Sequence, residues 1–431
     1  MRKLISLFAA ILLSGLLAQA QQYDVLDKVN ADVRKAYGME GPHRIDEFGT
    51  LSKAPKGYKP FYISHYGRHG SRYAWDDETY TYLHKVFETA REKAVLTPYG
   101  ESFAQKYEDF YQIPLINTGD LVPLGYDQHL AIGTFVYNQF PQVFKGRKKV
   151  DALSSTGQRC IVSMGAFTVG LMSGNPKLQV RLQSDHVGMG IIAPPSAPRA
   201  VRHYFEGQLT KPAGESVEEF VLRTIDAQAT LDKLFTDSSF LEGLVEGSSA
   251  LDFINELWNL YCGYHNYEEK PLFDDLFTPE QRLKWWEASN YFSYYSDLTA
   301  RYGMIPLLQD ILDKADEALA DPNRAAHLRF GHDYILEGLA TLLNVNNMGH
   351  IVDKAEDAKY WFRNYDIPMA GTLLFVLYRN KQNDILVKVV LNENDAVLAD
   401  LQPVEGVYYK WADFKAYAQQ IIKDHPEIIR K

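Results

Sequence analysis

Phe61-Tyr62-Ile63-Ser64 runs through His65 and Tyr66 into Gly67-Arg68-His69-Gly70-Ser71-Arg72. A short apolar stretch of this kind is a strand, and it delivers a turn dense in hydrogen-bond donors. The pattern recurs twice. Val150-Asp151-Ala152-Leu153 leads into Ser154-Ser155-Thr156-Gly157-Gln158-Arg159 and an amphipathic stretch to Met172. Leu328-Arg329-Phe330 leads into Gly331-His332-Asp333 and a helical stretch to Leu343. Strand, polar loop and helix in sequence are the units of an α/β fold, expected here as a central, mainly parallel sheet flanked by helices. Ligands of such sheets bind at the carboxyl ends of the strands, so the three loops are expected to converge on one cleft.

Outward from these units the character changes. Ala193-Pro194-Pro195-Ser196-Ala197-Pro198 breaks the pattern, and beyond it Val217 to Phe235 and Pro279 to Tyr294 carry helical spacing with acidic residues. This predicts an α/β core from 21–190 plus 300–431, with an α-helical cap inserted at 191–299. Asp76 to Tyr111 reads as a second, smaller helical excursion. Strand pattern returns at Leu373 to Tyr378 and Ile385 to Leu391, joined by the turn-rich Asn380 to Asp384. A chain of 431 residues exceeds what one hydrophobic core serves, in keeping with a core and a cap.

Residues 1–20 read as an export signal. Arg2 and Lys3 precede an apolar run from Leu4 to Leu17, and Ala18-Gln19-Ala20 is a small-x-small cleavage site. The run is too short to span a bilayer and no later stretch is long enough. A periplasmic or secreted location follows as the expectation. Export permits disulfides, but Cys160 and Cys262 are the two cysteines, and two buried free thiols are the favoured reading. The formal charge of -10 argues against a nucleic-acid partner, which demands a broad basic surface. It leaves room for a small phosphorylated substrate held by a few converging arginines.

Arg68-His69-Gly70-Ser71-Arg72 carries the sharpest chemistry. A neutral imidazole can attack phosphorus and hold it covalently, splitting a hard hydrolysis into two steps. Guanidinium forks on either side match the phosphate oxygens and keep their charge, and Gly70 lets backbone approach where a Cβ would obstruct. No His-Glu-x-x-His or comparable paired-ligand spacing appears, so no metal or other cofactor is expected at this site.

The pentapeptide resembles the Arg-His-Gly-x-Arg signature of the histidine phosphatase superfamily, in its acid phosphatase and phytase branch. Gly119 to His129 is similar to that family's Gly-x-Leu-Thr-x-x-Gly-x-x-Gln stretch. Ser154 to Arg159, with Ser163 and Ala166-Phe167, resembles the segment that supplies a third arginine. The resemblance implies that His69 is the nucleophile, that Arg68, Arg72, Arg159 and His332 bind phosphate, and that Asp333 protonates the leaving oxygen. Ile367 to Gly371, Phe375 to Arg379, Val389 to Glu393 and the helix start at Pro306 are similar to multiple inositol polyphosphate phosphatases, although His332-Asp333 stands where they usually have His-Ala-Glu.

Arg199, Arg202 and His203 follow the proline break and are rim candidates for the extra phosphates of a polyphosphorylated ligand. Three functions stay in play. They are hydrolysis of phytate and other inositol polyphosphates, broad hydrolysis of sugar phosphates or nucleotides, and catalytically silent binding of a phosphate or glycan. Trp285-Trp286 and Tyr294-Tyr295 would suit a glycan, but their helical spacing reads as packed cap residues.

Overall fold

Strand β1 (Lys59–Arg68) is buried at every residue from Tyr62 to Arg68, as a strand covered on both faces must be. The computed structural model that shows this describes residues 25–193, 212–245 and 248–429. Residues 1–20, read above as an export signal, lie outside them. Beside β1 stand β2 (Lys149–Ser154), β3 (Gln179–Ser184) and β4 (Arg324–Gly331) in the order β3-β2-β4-β1, all parallel. Beyond β1 the sheet continues antiparallel through β5 (Thr372–Arg379), β6 (Ile385–Leu391) and β7 (Asn394–Ala396), while β8 (Tyr408–Lys410) also pairs with β6. The parallel block expected from the strand-loop-helix units is thus present, and the late strands add the antiparallel half.

Register positions the loops. Arg68 lies opposite Gly331 and Ser154 opposite Phe330, so β1, β4 and β2 end side by side at one edge of the sheet. Helices Pro123–Gln139 and Gln158–Gly174 cover one face over Ile63, Ile132, Phe167 and Phe330. Helices Ile305–Ala320, Asp333–Leu342 and Trp411–Asp424 cover the other over Tyr62, Leu308, Leu336 and Phe414. Burying Arg329 within β4 is made tolerable by Asp310, whose carboxylate lies 2.6 Å from its guanidinium.

A third cluster is mainly helical. Helices Glu78–Glu92 and Pro98–Phe110 pack with Ala250–Gly263 and Pro279–Ala300 around Tyr80, Phe87, Tyr107, Phe253, Trp258 and Trp286. The long Pro279–Ala300 helix starts where its sequence dictates. Pro279 occupies the first turn, and Thr278 and Gln281 exchange hydrogen bonds in a capping box. Trp285, Trp286 and Tyr294 are buried and Tyr295 is half-buried against the core, so they are packed as their spacing suggested. Cys160 and Cys262 are buried free thiols. Among the described residues no helix is long and apolar enough to cross a membrane.

Candidate active site

The turn after β1 is clamped by its own backbone. Arg68 N–H donates to the Gly371 carbonyl (2.9 Å), His69 N–H to Gly331 (2.9 Å), Gly70 N–H to Ser163 Oγ (3.0 Å) and Ser71 N–H to Gln128 Oε1 (2.9 Å). His129 Nε2 donates to the Arg68 carbonyl (2.9 Å) from the same helix as Gln128. A Cβ on Gly70 would lie 2.4 Å from the Gly125 carbonyl oxygen, so glycine is dictated here by the neighbouring backbone. The loop has almost no freedom left.

His69 is 2% exposed, and its Nδ1 lies 2.9 Å from the Gly70 carbonyl. A carbonyl only accepts, so Nδ1 carries the proton and the neutral ring presents the Nε2 lone pair. Burial, then Arg68, Arg72 and Arg159, push the imidazole pKa well below its ordinary 6.5. The ring is therefore unprotonated over the whole physiological range. This is the state that a nucleophile needs.

Arg68 is fully buried and held through both of its Nη atoms. Its Nη1 donates to the Ile367 carbonyl (3.1 Å) and to that of Met39, and its Nη2 reaches Asp333 Oδ2 (2.8 Å) and Glu40 Oε1 (3.5 Å). Arg72 shares Glu40 at 3.3 Å, and Arg159 donates to the Gly119 carbonyl at 3.2 Å. His332 Nε2 lies 3.0 Å from Ser155 Oγ, and its ring centre is 5.7 Å from that of His69. Burial first, with the arginines adding, lowers the His332 pKa to about 4 despite the opposing pull of Asp333. Burial works to raise Asp333, but Arg68 and Arg72 outweigh it and hold the carboxyl below its ordinary range. Asp333 is thus ionised in the free chain.

The structure therefore brings His69, Arg68, Arg72, Arg159, His332 and Asp333 into one site, the first three buried and the other three half-buried. Three guanidinium groups face two carboxylates there, leaving a net positive charge suited to an anion. Arg199, Arg202 and His203 lie outside the described residues. Sequence reasoning missed Glu40 and Ser155 as partners of the site. Ser155 sits in the quoted loop after β2, but Glu40 comes from a 3-10 segment, Val33–Glu40, with no periodic signal to mark it. Among the described residues no group of three or more His, Cys, Asp or Glu side chains is placed to hold a metal.

The family model described as histidine phosphatase superfamily (branch 2) matches residues 67–392, from the last two residues of β1 to just past β6. The chain belongs to this family. It is a phosphoric monoester hydrolase. Its fold is similar to that of the Bifidobacterium longum multiple inositol polyphosphate phosphatase in apo form, with a TM-score of 0.70 and 18% identity over 89% of this chain and 97% of that one. The same phosphatase in complex with inositol hexasulfate gives 0.69 and 17% over 89% and 97%. The phytase from D. castellii gives 0.67 and 16% over 90% of this chain and 85% of that one. No curated protein sequence matches the chain.

Proposed function

We propose that this histidine phosphatase is exported and hydrolyses phosphomonoesters through a phosphohistidine on His69. The observation that carries the reading is an unprotonated His69 Nε2 surrounded by Arg68, Arg72 and Arg159, with Asp333 beside Arg68. The arginines take the non-bridging phosphate oxygens and His69 attacks in line with the leaving oxygen. Incoming phosphate engages the cations that hold Asp333 ionised and adds negative charge beside it. Both effects raise the Asp333 pKa, so the carboxyl binds a proton in the complex and gives it to the leaving alcohol. Water then attacks the phosphohistidine, with Asp333 taking its proton. His332 and Ser155 assist in holding the transferred group.

Silent binding would need no unprotonated histidine, so that feature favours turnover. Inositol polyphosphates are the first substrate reading, supported by the likeness to an inositol polyphosphate phosphatase solved with inositol hexasulfate. A singly phosphorylated ester with an apolar body is the second, favoured by the cavity described below. The test is phosphate release in excess EDTA by wild type and His69→Ala, with acid-labile label trapped on the protein. Label on His69, and loss of both label and release in the variant, support the mechanism. Release that persists in His69→Ala overturns it.

A further inference from the structure

Arg72 belongs to two places at once. One is the arginine-lined site, and the other is a cavity of about 580 Å³ among the helices that follow the turn after β1. Trp75, Val221, Leu251, Trp258, Trp285 and Phe292 supply much of its wall. Among the described lining residues the charged groups are Arg72, Glu40 and Asp252, and Glu40 is already engaged with Arg68 and Arg72. Beyond the anion-binding arginine, the space thus offers mostly indole, phenyl and aliphatic surface, interrupted by the amides of Asn255 and Asn259, the hydroxyls of Ser289 and Ser293, and a carboxylate.

Two of the wall's aromatic side chains are conspicuously uncovered. Trp75 is 69% exposed and Phe292 57% exposed. Large aromatics left wet around a cavity mark a binding surface, because an apolar ligand would remove that area from water. A body carrying several phosphates would instead set anions against Glu40, Asp252 and aromatic faces.

We infer that this cavity takes the apolar body of a singly phosphorylated alcohol whose phosphate rests on Arg68, Arg72 and Arg159. The inference rests on the phosphatase reading of that same site and takes the second of its two substrate classes in place of the first. The ligand class is an alkyl or aryl monophosphate, with the chain or ring lying along Trp75 and Phe292 towards Trp258.

Ethyl and octyl phosphate separate the two ideas, because their leaving oxygens are chemically alike. Affinity of the full chain for each is measured by calorimetry, and kcat/KM by phosphate release. A buried methylene multiplies affinity about three- to fourfold, so octyl phosphate should bind at least about a hundredfold more tightly than ethyl phosphate. Trp75→Ala and Phe292→Ala should each cut the octyl-to-ethyl ratio by about tenfold. Equal affinity for the two esters, or a ratio that neither variant changes, overturns the proposal. So does inositol hexakisphosphate displacing octyl phosphate at equal concentration. Chain-length-dependent binding with no release of phosphate would leave the cavity assignment standing and remove the His69 mechanism. Equal hydrolysis of both esters would do the reverse.

Discussion

Arg68 Nη2 lies 2.8 Å from Asp333 Oδ2, joining the end of β1 to the first turn of the Asp333–Leu342 helix through a fully buried guanidinium. The bond explains how one carboxyl can be ionised before substrate arrives and protonated afterwards. Its pKa in the free chain is held down mainly by Arg68 and Arg72, the two groups that a phosphate engages. The high-pH limb of kcat, which reports the complex, should therefore lie above the Asp333 pKa of the free chain that shapes kcat/KM. Coincident limbs in the two profiles would remove Asp333 from the acid role.

Asp333→Asn follows from the same geometry. The amide cannot donate the proton, so kcat for an alkyl phosphate should fall about 10²- to 10⁴-fold, the usual contribution of a positioned acid. An aryl phosphate, whose leaving oxygen hardly needs protonation, should fall far less. Equal losses on both esters would mean that the variant has disturbed Arg68 instead.

The low-pH limb belongs to His69. Burial and three arginines keep its imidazole neutral well below 6.5, so kcat/KM should not decline as pH falls through that value. Arg159→Gln removes one of the cations that lower the pKa, and the acid limb should move upward while KM rises. A limb that stays in place in this variant, read from the kcat/KM profile, would show that Arg159 does not act on His69.

How much of this was legible beforehand varies by residue. The three loops that meet at the site follow apolar strands, and the apolar run from Tyr62 signals β1 directly. β3 was not legible. It is a partly exposed edge strand whose Gln179-Val180-Arg181-Leu182-Gln183-Ser184 has too little apolar content to register. The pairing of β1 with β4, which sets His69 beside His332, is a contact between residues more than 250 positions apart and has no local trace. Glu40 was hidden for a related reason. Its role depends on where an irregular segment docks, and hydrophobic period says nothing about that.

Gly70 separates packing from propensity. A methyl there meets the Gly125 backbone, which has no rotamer to yield, so Gly70→Ala should cost about 1–3 kcal/mol and move His69 enough to depress activity. Gly165, within the Gln158–Gly174 helix, is a control, since a Cβ there meets nothing within 4 Å. Gly165→Ala should stabilise by up to about 1 kcal/mol through helix propensity. Urea midpoints of the two variants check both signs, and equal losses would refute the steric account.

One turn beyond Asp333 on the same helix, Glu337 is 2% exposed, and Asp297 from the Pro279–Ala300 helix is 4% exposed. Burial raises both carboxyls, and a hydrogen bond between them lets the pair keep a proton that each would lose in water. The sign of the linkage follows. The folded chain binds this proton more tightly than the unfolded one, so the associated stability is complete below the ordinary carboxylate pKa and is lost as pH rises above it. Asp297→Asn keeps the shape and removes one titrating partner. Between about pH 5 and about pH 9 the variant should lose less stability than wild type, as read from urea unfolding midpoints. If the two fall in parallel, the pair does not hold the proton, and the cost of burying it must be met by another group.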